Sequence, residues 1–409
     1  MPVDARSLAA ALVAGVTEGQ MLQEIPLPQA EPAILARAQR LALATLRNFS
    51  RTQVVLGPLV NREPPARVMA ALRVGVVELL ELGEAPHGVV NSTVNTLKAD
   101  RETARAAGMA NAVLRRASEF EGWTDLPVQK LPGWLRRKTR AVYGDAVVSA
   151  IEAVQHRTPP LDLTLKPGKT APEGAEPVGF SFRLPAGGQV SALPGYAEGD
   201  WWVQDAAAAL PATLLAVQPG EAVLDLCAAP GGKTMQLAAA GARVTALDMS
   251  EPRLKRLRQN LERTGLTAEI ICADALDWNP AEPVDAILLD APCTATGTIR
   301  RHPDLPLVKK PADLANLVEL QAALLDRALG FLNPGGRLVY CTCSLLPDEG
   351  ESQIEAALAR HPGLTAQTPD LPLGRATPEG GWRTRPDDHS TGIDGFYMAL
   401  LRRPGRQPG

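Results

Sequence analysis

Apolar residues in the first 120 positions recur at spacings of three and four. Val68, Leu72, Val76 and Leu79 or Leu80 are one such series, which lines a single face of a helix. Segments 4–17, 31–49, 66–82, 88–99 and 101–120 share the pattern. Pro26, Pro28, Pro64, Pro65 and Pro86 fall between the runs, where proline is tolerated. No strand-like alternation competes, so residues 1–125 are predicted to form an all-α domain.

From about residue 204 the pattern changes. Short apolar runs at 222–226, 243–247, 269–272, 284–289 and 336–342 predict strands, and a last hairpin is predicted near 365–370 and 395–401. Helical segments at 233–240, 251–264, 311–331 and 348–360 lie between them. Strand alternating with helix predicts a parallel sheet covered on both faces over 204–409. Ligand sites in such sheets assemble beyond the carboxyl ends of the strands. Between the two regions, 126–203 starts with a basic cluster (Lys130, Arg136, Arg137, Lys138, Arg140) and a helix-like run. Thr158–Leu165 then reads as a strand, and the many Gly and Pro of 167–200 predict a small loop-rich subdomain whose fold the pattern leaves open.

A chain of 409 residues exceeds one compact core, which agrees with a multidomain reading. The net charge of −3 is unevenly spread. Residues 1–140 carry 18 Lys+Arg against 13 Asp+Glu, whereas 201–409 carry 20 against 25. A basic helical module on an acidic half is an electrostatic footprint for RNA, although a solvated helical surface would look the same. None of the five cysteines has CxxC spacing, so no zinc or other metal is expected, and free thiols point to a reducing compartment. The start lacks a basic segment followed by an apolar one. No run approaches the ~18–20 apolar residues of a membrane span. These features predict a soluble, cytoplasmic protein without membrane contact.

Candidate chemistry clusters in three segments. Leu224-Asp225-Leu226-Cys227-Ala228-Ala229-Pro230-Gly231-Gly232-Lys233-Thr234 reads as a strand, a Gly-rich turn and a helix start. Its Gly-Lys-Thr fails as a phosphate loop, because position 227 is Cys where that loop needs Gly. Asp248 ends the next strand, where it can accept hydrogen bonds from two ribose hydroxyls, and Asp274 ends the one after, beside an adenine position or as a helix cap. A site for a ribose and an adenine without phosphate suits S-adenosylmethionine. Asp290-Ala291-Pro292-Cys293 and Thr342-Cys343-Ser344 each follow an apolar strand, so either thiol could supply a nucleophile to the same pocket. Cys227, Cys272 and Cys341 read as packing residues.

These segments resemble the RNA (cytosine-5) methyltransferases. The likeness is carried by Ala229-Pro230-Gly231-Gly232-Lys233, Asp290-Ala291-Pro292-Cys293, Tyr340-Cys341-Thr342-Cys343-Ser344 and Asp394-Gly395-Phe396-Tyr397. Val90-Asn91-Ser92-Thr93-Val94 and Ala110–Arg116 resemble the helical RNA-binding fold of NusB, and the domain order is similar to that of RsmB-type enzymes acting on small-subunit (16S) ribosomal RNA. The resemblance implies a NusB-like helical domain joined to a Rossmann-like methyltransferase domain. It further implies S-adenosylmethionine held by Cys227, Ala228, Ala229, Pro230, Gly231, Gly232, Lys233, Asp248, Asp274 and Asp290. Cytosine C5 becomes nucleophilic once a thiolate has added at C6. The DNA enzymes use a Pro-Cys thiol for this and the RNA family the later Thr-Cys one. The resemblance therefore implies Cys343 as nucleophile, Cys293 in product release, Asp290 facing the pyrimidine N3 and N4 edge, and Lys233 in the same pocket. Thr294-Ala295 replaces the family's Ser-Gly, and Ile299–Asp304 resembles a loop of the family near RNA phosphates. Transfer RNA as substrate, or a non-catalytic RNA-binding assembly factor, are the rival readings. A monomer with RNA as partner is expected.

Overall fold

The computed structural model describes residues 4–405. The chain separates into two compact units. One runs to Arg157 and takes in Ile299–Lys309, and the other holds Thr158–Thr298 and the remainder from Lys310.

The first unit is helical, as its periodicity predicts. Ala5–Thr17, Pro32–Arg47, Phe49–Leu56, Ala66–Leu80, Pro86–Ala99 and Ala107–Ala117 enclose a core that includes Val13, Leu46, Leu72, Val76 and Leu114. Gly75 lets the fourth helix press against Leu114, whose Cδ2 would lie 2.9 Å from an added Cβ. Glu78 is fully buried and paired with Arg6 at 2.6 Å. The predicted 31–49 helix in fact stops at Arg47 and a separate helix begins at Phe49. Gly133–His156 follows, interrupted at Gly144 by φ 77° and ψ 167°.

The 299–304 loop, which resembles a loop of the family near RNA phosphates, packs within the helical unit and leaves His302 exposed. Ile299, Arg300, Asp304 and Leu305 are buried, Arg300 with 1% exposure. Arg47 donates to the Arg300 carbonyl at 2.7 Å, and Asp304 accepts from the Leu22 N–H at 2.9 Å. The segment is a packed part of the helical unit, because a leucine and a carboxylate matched to a backbone donor anchor it there.

The second unit contains two sheets. The smaller, in the segment whose fold the sequence left open, is antiparallel in the order Glu176–Val178, Ser181–Leu184, Leu161–Leu165, Trp201–Val203. Buried Asp162 is held by Arg183 through bonds of 2.6 and 2.8 Å and accepts the Ala206 N–H at 3.0 Å.

The larger sheet runs Arg375–Ala376, Trp382–Thr384, Phe396–Arg402, Leu332–Thr342, Val284–Asp290, Ala222–Leu226, Arg243–Asp248, Glu269–Cys272, and Thr365–Gln367 pairs with Phe396–Arg402. The five strands from Leu332–Thr342 to Glu269–Cys272 are parallel. The rest are antiparallel, so the parallel core carries an antiparallel edge that includes the predicted hairpin of Thr365–Gln367 with Phe396–Arg402. Phe396–Arg402 enters through a short return from Trp382–Thr384, too short for the crossover that a parallel pair requires. In the central strand Ile287, Leu288 and Leu289 are all fully buried, as expected where helices cover both faces. Pro311–Phe331 and Glu351–Arg360 contribute to the core on one face, Ala206–Leu215 and Gly232–Ala239 to the other. Among the described residues no helix is long and apolar enough to cross a membrane.

Candidate active site

The carboxyl ends of the parallel strands carry all the predicted site residues. After Ala222–Leu226 the chain turns sharply. Cys227 takes φ 60° and Gly231 φ 101°, a left-handed conformation costly for residues with a Cβ. At Gly231 an added Cβ would also meet Leu257 at 2.9 Å. Ala228 and Ala229 are buried, Pro230 is exposed, and Gly232 opens the next helix. Cys227 is half-buried, and burial raises its thiol pKa.

Asp248 closes the adjoining strand with 2% exposure. It accepts the Ala229 N–H at 3.1 Å and the Ser250 N–H at 2.9 Å, with Arg253 at 3.2 Å. Arg253 also donates to the Ala229 carbonyl. Its side chain is half-exposed, so ribose hydroxyls can compete for the carboxylate. Asp274 is exposed and accepts the Leu276 N–H at 2.9 Å; here it caps a turn beyond the third parallel strand.

Asp225 lies inside the first strand, fully buried, with Thr234 donating to it at 2.6 Å. Its other oxygen has no protein partner, and burial pushes its pKa up to about 7. An orphaned buried acceptor, a turn only glycine can make, and Asp248 at the next strand end together fit a nucleoside cofactor carrying positive charge. The sequence signal for Asp225 was an acid within an apolar run.

Lys233 turns inward from the helix start. Its ammonium lies 2.8 Å from Asp290 and 5.2 Å from the Phe396 ring centroid. Burial opposes its charge, but Asp290, together with the neighbouring Cys341 and Cys343, raises the pKa. Cys341, read as packing, is fully buried and donates to Asp290 at 3.4 Å. It therefore both packs and touches the site, a role that its two-residue offset from Cys343 on one strand face could have suggested.

The two motif thiols meet. Cys293 Sγ and Cys343 Sγ are 3.4 Å apart, and both residues are half-buried. Their hydrogen bond is the first cause of a raised Cys293 pKa, with burial next. Both effects hold the Cys293 thiol protonated. Ala295 stands at φ 57°, which accounts for the glycine that the resembled family places there. Among the described residues no His, Cys, Asp or Glu cluster could hold a metal.

Comparison with known proteins agrees with both halves. Residues 212–402 match the model of the 16S rRNA methyltransferase RsmB/F family, and 3–119 match the NusB family. Ribosomal RNA small subunit methyltransferase B of Xanthomonas campestris is 37% identical over 403 residues, covering 91% of this chain and 89% of its own. Its Salmonella agona namesake is 36% identical over 435 residues, covering 97% and 98%. Among solved structures, the crystal structure of PH0851 shares the fold with a TM-score of 0.80 at 24% identity, covering 98% of this chain and all of that one.

Proposed function

The chain belongs to the 16S rRNA methyltransferase RsmB/F family, and on that premise we propose that it forms 5-methylcytosine in small-subunit ribosomal RNA through a covalent cysteine–C6 adduct. The observation that carries this reading is the Cys293–Cys343 pair beside the Lys233–Asp290 ion pair. An enzyme methylating an exocyclic nitrogen has no need of two thiols in contact. S-adenosylmethionine, when bound, supplies the methyl group. Cys227 to Lys233 with Asp248 would hold it, Asp274 would flank its adenine, and Asp290 would border both cofactor and base.

The Cys343 thiolate attacks C6, forming the S–C6 bond and placing the ring's electron density at C5. Asp290, held by Lys233, faces the N3 and N4 edge as the ring saturates. After C5 is methylated its proton leaves to a base, the S–C6 bond breaks and the electron pair returns to sulfur. Cys293, held protonated next to Cys343, assists this release. The base must leave its stack to reach the pocket, and an unpaired or incompletely folded rRNA segment offers that most readily. Residues 1–125 are assigned to RNA recognition, 126–203 to a connecting role and 204–409 to catalysis, with the cytoplasm as the place of action.

The test is methylation of purified small-subunit rRNA with S-adenosylmethionine, followed by bisulfite sequencing. A single protected cytosine is expected. Methylation of transfer RNA but not rRNA, or of no RNA at all, would overturn the reading.

A further inference from the structure

Glu349 lies in the turn Pro347–Glu349, just after the Cys343 segment, and is fully buried. One carboxylate oxygen accepts the Thr294 N–H at 2.8 Å and the Gln321 amide at 3.0 Å. The other accepts the Thr294 hydroxyl and the Ser344 hydroxyl, both at 2.5 Å. Its main-chain carbonyl accepts the Tyr340 and Thr342 hydroxyls at 2.9 and 3.0 Å. Thr294 directly follows Cys293, and Ser344 directly follows Cys343. Gln321 also donates to the Pro292 carbonyl at 2.8 Å. A single buried carboxylate thus joins both thiol-bearing segments, with four neutral donors supplying the hydrogen bonds shown.

We propose that Glu349 is a positioning residue that fixes the Cys293 and Cys343 sulfurs in contact by bonding to Thr294 and Ser344. Changing one of its two oxygens to an amide group leaves two of these donors facing another donor, and unmatched buried donors drive rearrangement. The same negative charge also acts on Cys293, where it is among the causes that keep the thiol protonated. Glu349 therefore sets the spacing of the pair and helps keep the proton on Cys293. A surface acid opening the next helix would do neither. The inference rests on the two-thiol reading of the reaction, but its geometric content can be measured without RNA.

The experiment compares Glu349→Gln with wild type, and Thr294→Val as a second variant that cuts one leg of the clamp and leaves the carboxylate in place. Three quantities are read: kcat and KM on rRNA, the pH dependence of Cys293 alkylation by iodoacetamide, and the rate at which diamide links Cys293 to Cys343, followed by peptide mass spectrometry. In Glu349→Gln, kcat is expected to fall at least tenfold with KM for RNA changed less than threefold. The Cys293 alkylation midpoint should move to lower pH, and the link should form several-fold more slowly. Thr294→Val should slow the link in the same direction. Unchanged alkylation and linking in folded Glu349→Gln would overturn the inference, as would unchanged linking in Thr294→Val should the first variant fail to fold. Wild-type protein that links and alkylates as expected but methylates no cytosine would instead count against the proposed function.

Discussion

Lys233 and Asp290 form an ion pair at 2.8 Å, with the ammonium also over the face of Phe396. The lysine is buried, whereas the Asp290 side chain is about one-third exposed at 32%. The carboxylate can therefore meet a ligand while its charge is held from behind.

Lys233→Met should lower kcat by about 10²–10³, the usual effect of losing one preorganised electrostatic group. Single-turnover methylation by both proteins checks this, and an unchanged rate would mean that the Lys233–Asp290 pair does not serve the reaction.

Asp225 gives the cofactor-free protein a pH-dependent stability. Its folded pKa, raised by burial from 3.8 to about 7, means that between these values the folded state holds a proton which the unfolded state has released. Its contribution to stability is therefore present at low pH and declines as pH rises from about 4 to about 7, by about 1.4 kcal/mol for each pH unit crossed. Asp225→Asn cannot ionise and should gain stability relative to wild type across that interval. Urea unfolding of both proteins at pH 5 and pH 8 measures the difference; an equal gap at the two values would contradict it.

Ala295→Gly should stabilise the protein. Ala295 occupies φ 57°, which costs a residue with a Cβ about 1–2 kcal/mol. Glycine's greater freedom in the unfolded chain returns part of that, leaving a gain of about 0.5–1 kcal/mol. Thermal unfolding should show a midpoint higher by about 1–3 °C, and a lower midpoint would mean that the Ala295 methyl packs usefully.

Much of this was legible in the chain. The helices Glu251–Thr264 and Pro311–Phe331 match their predicted bounds, since a proline or glycine marks their ends and their apolar spacing is regular. The proposed site residues stood at strand ends or, like Gly232 and Lys233, at the helix start that follows one, so the parallel order gathered them. Long-range pairing was not legible. Trp382–Thr384 was missed because Arg383 looks like a solvent residue, yet it is buried against Glu351, to which it donates at 2.6 Å. Glu349 reads as the acid opening a helix, and its donors Gln321 and Thr294 lie 28 and 55 residues away. Asp274 keeps both of its readings, since an exposed carboxylate that accepts the Leu276 N–H can also lie beside an adenine. Periodicity reports which face is buried; it carries no information on which distant residue meets a buried charge.

The thiol assignment is tested most directly by a denaturing gel of labelled rRNA incubated with S-adenosylmethionine and wild type, Cys293→Ala or Cys343→Ala. Attack by Cys343 with release aided by Cys293 predicts a denaturant-resistant protein–RNA band that accumulates only with Cys293→Ala. Cys343→Ala should form no band and transfer no methyl group while binding cofactor as wild type does. A stable band from Cys343→Ala and none from Cys293→Ala would contradict the assignment and exchange the two roles.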